Sequence, residues 1–372
     1  MRLIILAQPH DPSHGMAQAF PPAELARIKS RLRELAEGLG FQQLGVAGVD
    51  LAADEERLQR WLADGRHGDM AFMERHGTRR SRPAELIPGT VRVISLRMDC
   101  FAPQATPADK VLADPTRAYV ARYALGRDYH HIIRNRLQKL ASALEREIGP
   151  FGYRAFVDSA PVMEKPLARN AGLGWIGKHT NLINPRAGSQ FVLGELYTDL
   201  PLPVDSPEAD HCGSCTACIP ACPTGAITAP YQLDARLCIS YLTIEHHGPI
   251  PEPLRAKLGN RVFGCDDCQL ACPWNKFARV ASDPDFRSRN GLDAPALVEL
   301  FAWTEAEYLA RTEGSALRRL GYRRFLRNLA VALGNAPASE EVRSALAARQ
   351  DDADDVVREH VAWALRRGQT PL

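Results

Sequence analysis

Residues 212–223 read CGSCTACIPACP, and residues 265–273 read CDDCQLACP. The first stretch has the spacing C-x2-C-x2-C-x3-C-P, which is the pattern of bacterial ferredoxins. The second repeats C-x2-C-x3-C-P, and Cys238 stands upstream of it where a further cysteine is needed. Closely spaced thiolates wrap one small iron–sulfur cube, whereas the cysteine before proline ligates a second cube. Together the two stretches predict a ferredoxin-like double-cluster domain.

Eight cysteines are the number that two 4Fe-4S clusters require, and the crossing rule divides them into two sets. The first set is Cys212, Cys215, Cys218 and Cys272, and the second set is Cys222, Cys238, Cys265 and Cys268. The alternative is a pair of structural zinc sites, but zinc favours C-x2-C pairs separated by longer loops. Disulfides are disfavoured in a reducing compartment. The ninth cysteine, Cys100, is interpreted as a small buried residue and not as a ligand.

The 372 residues suffice for two or three globular domains, with 45% hydrophobic and 24% charged residues. The net charge is +2, from 46 basic and 44 acidic residues, so the overall charge indicates no partner. The sequence predicts no membrane-spanning segment, signal peptide or twin-arginine leader. We therefore expect a cytoplasmic monomer with a flexible leader over residues 1–20, in which Met16 is an alternative start.

Apolar periodicity divides the chain into three domains. Helical and strand patterns alternate over residues 21–203, which predicts an α/β domain. A proline-rich linker opens the double-cluster domain, which is assigned to residues 204–284. Residues 285–372 are predicted to be all-α. Two segments there, GYRRFLRNLAVALGN (321–335) and DDADDVVREHVAWALRR (351–367), are similar to HEAT-type helices and predict HEAT-like repeats.

The segment AGLGWIGKH (171–179) contains a formal G-x-G-x-x-G motif at Gly172, Gly174 and Gly177. A dinucleotide site needs a strand before this motif and a helix after it. Here a helical pattern precedes the motif and a proline-bearing stretch follows it, so a dinucleotide site is disfavoured. We interpret the motif as a tight loop that approaches some other large ligand, with ordinary turn glycines as the alternative.

Longer stretches carry a family resemblance. They are HGDMAFMERHG (67–77), ARYALGRDYH (121–130), FVDSAPVMEKPLARNAGLGWIGKH (156–179), GSQFVLGELYTDLPLP (188–203), CISYLTIEHHG (238–248), FGCDDCQ (263–269), ACPWNKF (271–277) and EGSALRRLGYRRFLRNLAVALGN (313–335). In this order, and together with the cysteine block, they resemble the epoxyqueuosine reductases. The resemblance implies an enzyme that reduces epoxyqueuosine to queuosine at the wobble position of tRNA. It also implies a cobalamin in the α/β domain, which the two clusters reduce. The partners are then the tRNA anticodon stem-loop and an unidentified electron donor.

Asp158, in the stretch VDSAP, matches the general acid that the resemblance implies. A carboxyl group that donates a proton at neutral pH needs a raised pKa. Burial against the corrin and a neighbouring carboxylate would supply that shift. The alternative role is a helix cap, because Asp followed by Ser and Pro also begins a helix well.

The resemblance further implies cobalamin-lining positions, which are Ala121, Lys165, Leu182, Asn184, Leu193, Cys265 and Asp266. Arg82 and Lys178 are added because the corrin amides and the nucleotide-tail phosphate need hydrogen-bond donors. Some relatives carry cysteine at this position, but this chain has Ala121, so a thiol is not required there and a cobalt–thiolate role is disfavoured.

Residues 311–327 contain six arginines and one acid, and two aromatic residues lie among them. Phosphates attract such a cluster, and arginine or aromatic planes stack on splayed RNA bases. We predict that tRNA contacts Arg318, Arg319, Arg323, Arg324 and Arg327. The alternative is a solvated helix face with structural ion pairs. The histidine pairs at 130–131 and 246–247 are assigned to packing or to the surface.

Two other classes of function remain open. A reductive dehalogenase would share the corrin and the two clusters, but it normally has a twin-arginine leader and no arginine-rich helical tail. A non-enzymatic electron carrier would need the clusters alone and would leave the α/β domain without a role.

Overall fold

The computed structural model describes residues 20–368. The strands in this range are β1 (Gln43–Ala47), β2 (Arg92–Asp99), β3 (Tyr119–Val120), β4 (Tyr153–Phe156), β5 (Trp175–Ile176), β6 (Leu182–Ile183), β7 (Phe191–Thr198), β8 (Ile227–Ala229), β9 (Gln232–Leu233) and β10 (Arg261–Phe263). The α-helices are α1 (Pro22–Gly38), α2 (Ala52–Ala63), α3 (Pro83–Leu86), α4 (Ala108–Ala113), α5 (Tyr129–Ile148), α6 (Glu164–Asn170), α7 (Ile239–Ile244), α8 (Glu252–Leu258), α9 (Asp267–Leu270), α10 (Leu297–Ala302), α11 (Glu305–Arg311), α12 (Tyr322–Asn335), α13 (Glu340–Ala347) and α14 (Asp355–Arg367).

A four-stranded sheet with the order β1-β2-β7-β4 is the centre of the N-terminal part. All three of its strand pairings are antiparallel. The sequence predicts strands at each of these four places, and the mixed α/β content is confirmed. The antiparallel pairing brings the loop that follows β4 close to the start of α5, and this arrangement places the site described below.

The two faces of the sheet are covered differently. Helices α1 and α5 pack on one face, where Leu32 and Leu137 meet the inward side chains of Ile94 and Leu196. Alternate residues of a strand point to opposite faces. The other face of β7 therefore carries Glu195, which is fully buried. Helix α6 packs on this second face.

The C-terminal helices share one apolar core with an N-terminal segment. Helices α12 and α14 lie against each other, and Trp363 of α14 contacts the core that α12 forms. Strand β3 pairs in parallel with β10, so residues 118–125 of the predicted α/β domain pack in this core as well. The HEAT-like repeats and the domain boundaries stay predictions.

No helix within residues 20–368 is long and apolar enough to cross a membrane. Residues 1–19 of the predicted leader, with the alternative start Met16, lie outside the described residues.

Candidate active site and cluster sites

The first cysteine set lines a cavity of about 330 Å³, which we call the cluster cavity. Cys212, Cys215, Cys218 and Cys272 all contribute to its wall. Lys178 secures the loop of the first two cysteines, because its Nζ donates to the carbonyl oxygens of Gly213 at 2.6 Å and Cys215 at 2.9 Å. Lys178 thus lies beside the first cysteine set. The sequence instead predicts that Lys178 contacts cobalamin.

Every thiol of the second cysteine set is partly buried, and none is exposed. Burial raises the pKa of the Cys268 thiol, and the neighbouring Cys238 and Cys222 thiols raise it further. Ser240 links two members of this set, since it follows Cys238 closely and its Oγ donates to the carbonyl oxygen of Cys265 at 3.4 Å. The structure therefore brings together the two predicted sets from three separate stretches of chain.

The thiols of the first set surround enough space for a cluster. All nine cysteines are free thiols. The four thiols of the first set line a cavity of about 330 Å³, which leaves room for an inorganic cube. The donor set is thiolate throughout, which suits iron–sulfur clusters.

A second cavity, of about 230 Å³, lies between the sheet and the second cysteine set. We call it the acid–base cavity. Its wall includes Tyr129, Asp158, Glu164, Lys165, Cys265 and Asp266. Of the predicted cofactor positions, Lys165, Leu182, Leu193, Cys265 and Asp266 are part of the wall, as is the buried thiol of Cys100. Cys265 thus belongs both to this cavity and to a cluster set.

Asp158 is held by two residues of the first turn of α5. Nε2 of His130 lies 2.8 Å from Oδ1 of Asp158, and the Tyr129 hydroxyl donates to Oδ2. Helix α5 begins here because Asp128 caps it, accepting from the His130 backbone N–H at 3.1 Å. The Asp128 carboxylate also lies 2.5 Å from Nδ1 of His130. Both nitrogens of the His130 ring therefore face carboxylates.

This arrangement decides which group carries the proton. Burial alone would lower the pKa of His130, but the hydrogen bonds with Asp128 and Asp158 outweigh it and raise the pKa to about 9. Desolvation opposes the ionisation of Asp158, but His130, Tyr129 and the charge of Arg319 lower its pKa overall. The expectation of a raised Asp158 pKa is wrong here, because the proton resides on the histidine.

A buried carboxyl group next to Asp158 has the raised pKa instead. Burial and the charge of Asp158 raise the pKa of Glu164 to about 8. Glu195 lies behind Glu164, and neither of its carboxyl oxygens has a partner among the described residues. Burial, with Glu164 and Asp158 nearby, raises the pKa of Glu195 well above its usual range. With a pKa of about 8, Glu164 is mostly protonated at neutral pH, and the shift at Glu195 favours its neutral form too.

Besides Lys178, three predicted cofactor contacts lie outside the wall of the acid–base cavity. Ala121 is buried, with its Cβ packed against Gly264. Asn184 is buried and its amide donates to Gln43 at 2.8 Å and to the Leu173 carbonyl. Arg82 is exposed and pairs with two glutamates. Hydrogen bonds and ion pairs within the chain thus occupy Asn184 and Arg82, and their cofactor assignment stays a prediction.

The predicted RNA-contacting arginines divide into exposed and internal residues. Arg318, Arg319 and Arg323 are exposed. Arg327 is fully buried, and its guanidinium donates to the carbonyl oxygens of Leu242, His246 and Gly248.

Arg324 is half-buried and donates to the Ile244 carbonyl at 2.5 Å. Because Arg324 and Arg327 bind carbonyls at and just beyond the end of α7, the RNA assignment of Arg327 is wrong and that of Arg324 is weakened.

The glycine motif forms no dinucleotide turn. Strand β5 follows Gly174 and pairs with β6, and no helix starts at the motif. Gly174 has φ +156°, and a Cβ there would collide with the Ile183 carbonyl oxygen. The glycines therefore permit close approach of two short strands within the chain, which agrees with the turn-glycine alternative.

Sequence reasoning missed His130, Tyr129 and Glu164. A signal was available for His130, since it follows an Asp cap at the start of a strong amphipathic helix. The sequence predicts that Arg319 contacts RNA, but its Nη1 also lies against both ring nitrogens of His130, at 3.1 Å from Nδ1, and its charge opposes protonation of that ring. It thus joins the arginine-rich segment to the acid–base cavity.

Two thiol sets beside a cavity with an acid–base pair define an iron–sulfur oxidoreductase. The model of the 4Fe-4S double cluster binding domain matches residues 211–275, and the model described as epoxyqueuosine reductase QueG, DUF1730 matches residues 80–159. The chain is 62% identical over 336 residues to the epoxyqueuosine reductase of Xanthomonas campestris, covering 90% of this chain and 95% of the relative. It is 52% identical to that of Escherichia coli, covering 92% and 90%.

Solved structures agree with these relatives. An epoxyqueuosine reductase with an epoxyqueuosine-modified tRNA-Tyr stem loop superposes with a TM-score of 0.85 at 28% identity, covering 93% of this chain and 92% of the other. The Bacillus subtilis enzyme, whose catalytic aspartate loop is swung out of the active site, gives 0.82 at 28% identity, with 93% and 92% covered. This chain belongs to the epoxyqueuosine reductase family.

Proposed function

We propose that this chain reduces epoxyqueuosine to queuosine in tRNA and releases the epoxide oxygen as water. The reaction consumes two electrons and two protons. The observation that supports it best is one cavity in which Asp158, paired with a protonated His130, shares a wall with the cluster cysteine Cys265. The relatives are named for this activity, and one solved relative holds the modified tRNA stem loop.

Cobalamin is the proposed cofactor, and the acid–base cavity of about 230 Å³ would form only part of its larger site. The wall combines apolar Leu182, Val192 and Leu193 with the amide or hydroxyl groups of Ser189 and Gln269. Such a wall suits a broad ring that carries amide side chains, and Lys165 adds a cation. When bound, cobalamin would supply a strongly nucleophilic reduced metal centre.

Electrons would reach this cavity through the two cysteine sets in order. Cys215 of the first set is exposed to solvent, so this set is the one that a donor can approach. Cys265 of the second set borders the acid–base cavity. We therefore assign electron entry to the first set and electron delivery to the second.

Protons would come from the groups around Asp158. At neutral pH the His130 imidazolium holds a proton at Nε2, 2.8 Å from Oδ1 of Asp158. Asp158 can receive this proton and present it to the departing oxygen, as a general acid does. The neutral carboxyl of Glu164 borders the same cavity and is the proposed source of the second proton. The catalytic aspartate named for the Bacillus subtilis enzyme also lies on a loop.

The exposed arginines would bind the tRNA. Arg318 and Arg323 supply cations on the surface, and Arg319 extends this basic surface to His130. The modified base would then reach the acid–base cavity beside Arg319, while the flanking phosphates lie along the arginines. A tRNA substrate is consistent with a cytoplasmic location, and we propose a monomer that receives electrons from a separate donor.

Conversion of the modified tRNA tests this function. The anaerobically purified protein is supplied with cobalamin and dithionite and incubated with tRNA that contains epoxyqueuosine. Mass spectrometry of the nucleosides should show queuosine formed in the amount that epoxyqueuosine is lost. Unchanged tRNA with fully iron-loaded, cobalamin-loaded protein would contradict the proposal. Equal conversion of the tRNA by protein that received no cobalamin, and that shows no bound cobalamin by visible spectroscopy, would show that the reaction does not need this cofactor.

A further inference from the structure

An exposed apolar surface borders the cluster cavity. Eight large hydrophobic side chains are markedly exposed within residues 20–368, and three of them fall in residues 270–280. They are Leu270 at 41%, Phe277 at 41% and Val280 at 55% exposure. We call these three residues the entry patch. Nothing in the proton chemistry of the acid–base cavity uses them.

Phe277 joins the entry patch to the wall around the first cysteine set. Phe277 lines the cluster cavity, and its ring centroid lies 5.9 Å from that of Trp274, which lines it too. Trp274 in turn contacts Trp175 at 5.0 Å between centroids. The exposed thiol of Cys215 belongs to the same cavity. A protein seated on the patch would therefore lie against the cluster that is nearest the surface.

The rim of the entry patch is basic. Arg186, Lys276 and Arg279 are exposed, and Nε of Arg279 donates to the Arg186 carbonyl oxygen at 3.3 Å, which places these two residues together. Lys276 lies over the Phe277 ring, 4.9 Å from its centroid.

The acids on the same segments are already neutralised by other arginines. Asp267 pairs with Arg261, and Asp283 pairs with Arg136. Asp210 accepts from the Tyr231 hydroxyl at 2.5 Å, and Glu208 lies 3.4 Å from His211, so these two acids keep their charges. The patch thus combines an apolar centre with a rim that is positively charged at Arg186, Lys276 and Arg279.

We propose that the entry patch docks an acidic one-electron carrier protein, which reduces the cluster held by Cys212, Cys215, Cys218 and Cys272. An apolar centre with a charged rim is the composition of protein interfaces, and opposite charge speeds docking. In each encounter the carrier loses one electron and the cluster gains one. Two encounters supply the two electrons of one turnover. The inference depends on the proposed function for the destination of those electrons.

The test measures cluster reduction directly. A reduced flavodoxin, which is an acidic flavin carrier, is mixed with the tRNA-free protein, and bleaching of the cluster absorbance is followed by stopped flow. The variant Arg186→Glu/Arg279→Glu should lower the bimolecular rate constant at least about tenfold at low salt and flatten its salt dependence. The matched control is Lys139→Glu/Arg146→Glu on the exposed side of α5, which should leave the rate unchanged.

Dithionite and tRNA provide the other measurements. Dithionite is small and needs no docking surface, so it should reduce the clusters of both variants at the original rate, with iron content unchanged. An unchanged flavodoxin rate in the patch variant would overturn the proposal, as would an equal loss with dithionite. Loss of tRNA affinity with normal flavodoxin transfer would assign the patch to RNA. Because no epoxyqueuosine is present, failure of the proposed reaction would not alter these rates.

Discussion

The two cavities of this chain differ in the groups that line them. The acid–base cavity has Asp158, Glu164 and Asp266 in its wall, whereas the wall of the cluster cavity, as far as the structure describes it, contains no carboxyl group. His179 borders the cluster cavity, and burial lowers its pKa to about 4, so it is neutral. Proton-handling groups are thus confined to the place where a bond breaks, which implies that electron storage and proton delivery can be altered separately.

The substitution Asp158→Asn tests this separation with the largest expected effect. The amide keeps the size of the side chain but cannot pass on a proton. General acid catalysis contributes between about a hundredfold and about ten-thousandfold, so turnover should fall by that range. Nucleoside mass spectrometry measures the loss, while iron content and tRNA affinity should stay at the original values. Turnover at the original rate would remove Asp158 from the proton path. Loss of iron would show that the acid–base cavity and the cluster cavity cannot be altered separately.

The pH dependence of turnover sharpens the same comparison. The folded protein raises the pKa of His130 from 6.5 to about 9. The ion pair with Asp158 therefore stabilises the fold fully below pH 6.5, and this contribution is lost as the pH rises through about 9. Turnover should fall in the same range, because the neutral imidazole no longer has the proton to give.

A pH profile of the single-turnover rate, with cluster reduction measured in parallel, checks this prediction. Reduction of the clusters by dithionite should show no such decline. The variant Glu164→Gln separates the two groups, since it removes the ionisation near pH 8 but should keep the decline near pH 9. A decline that persists in His130→Gln would assign it to another group.

The cysteine sets were predictable from the sequence because the spacing of the thiols is itself the geometry of the site. Ligands two or three residues apart must lie close together, whatever the rest of the chain does. The pair of His130 and Asp158 is different. These residues are 28 positions apart, and they meet because β4 joins the sheet beside β7 while α5 packs across it. Sequence alone identified Asp158 through the family but gave His130 no role.

The arginine-rich segment shows a second limit of sequence reasoning. Arg323 and Arg327 are one helical turn apart on α12, yet the first is exposed and the second is fully buried. The difference arises because α7 ends against α12 and leaves carbonyl groups without helical partners. Arg327 satisfies three such groups at or near that end, and Arg324 satisfies another. No local pattern in the sequence records which helix ends there.

A smaller effect is expected at the exposed arginines. The variant Arg318→Ala/Arg323→Ala should weaken tRNA binding and reduce the slope of log affinity against log salt by about 1 per arginine. Arg323 pairs with Asp354 at 2.6 Å, so Arg318 should contribute more than Arg323. Arg319 is left intact because it contacts His130. Filter binding at several salt concentrations measures the slope, and Lys139→Ala/Arg146→Ala is the control of equal charge.

The buried Arg327 serves as the comparison for the exposed pair Arg318 and Arg323. Arg327→Ala would leave the buried Leu242 carbonyl unsatisfied, at a cost of about 1–3 kcal/mol, and would remove the partner of two part-buried carbonyls. Its free energy of unfolding should therefore fall, whereas that of Arg318→Ala/Arg323→Ala should stay within about 0.5 kcal/mol of the original per residue. An unchanged salt slope in the exposed pair, together with a loss of stability, would show that these arginines also act within the fold. The surface that binds tRNA would then have to lie elsewhere on the chain.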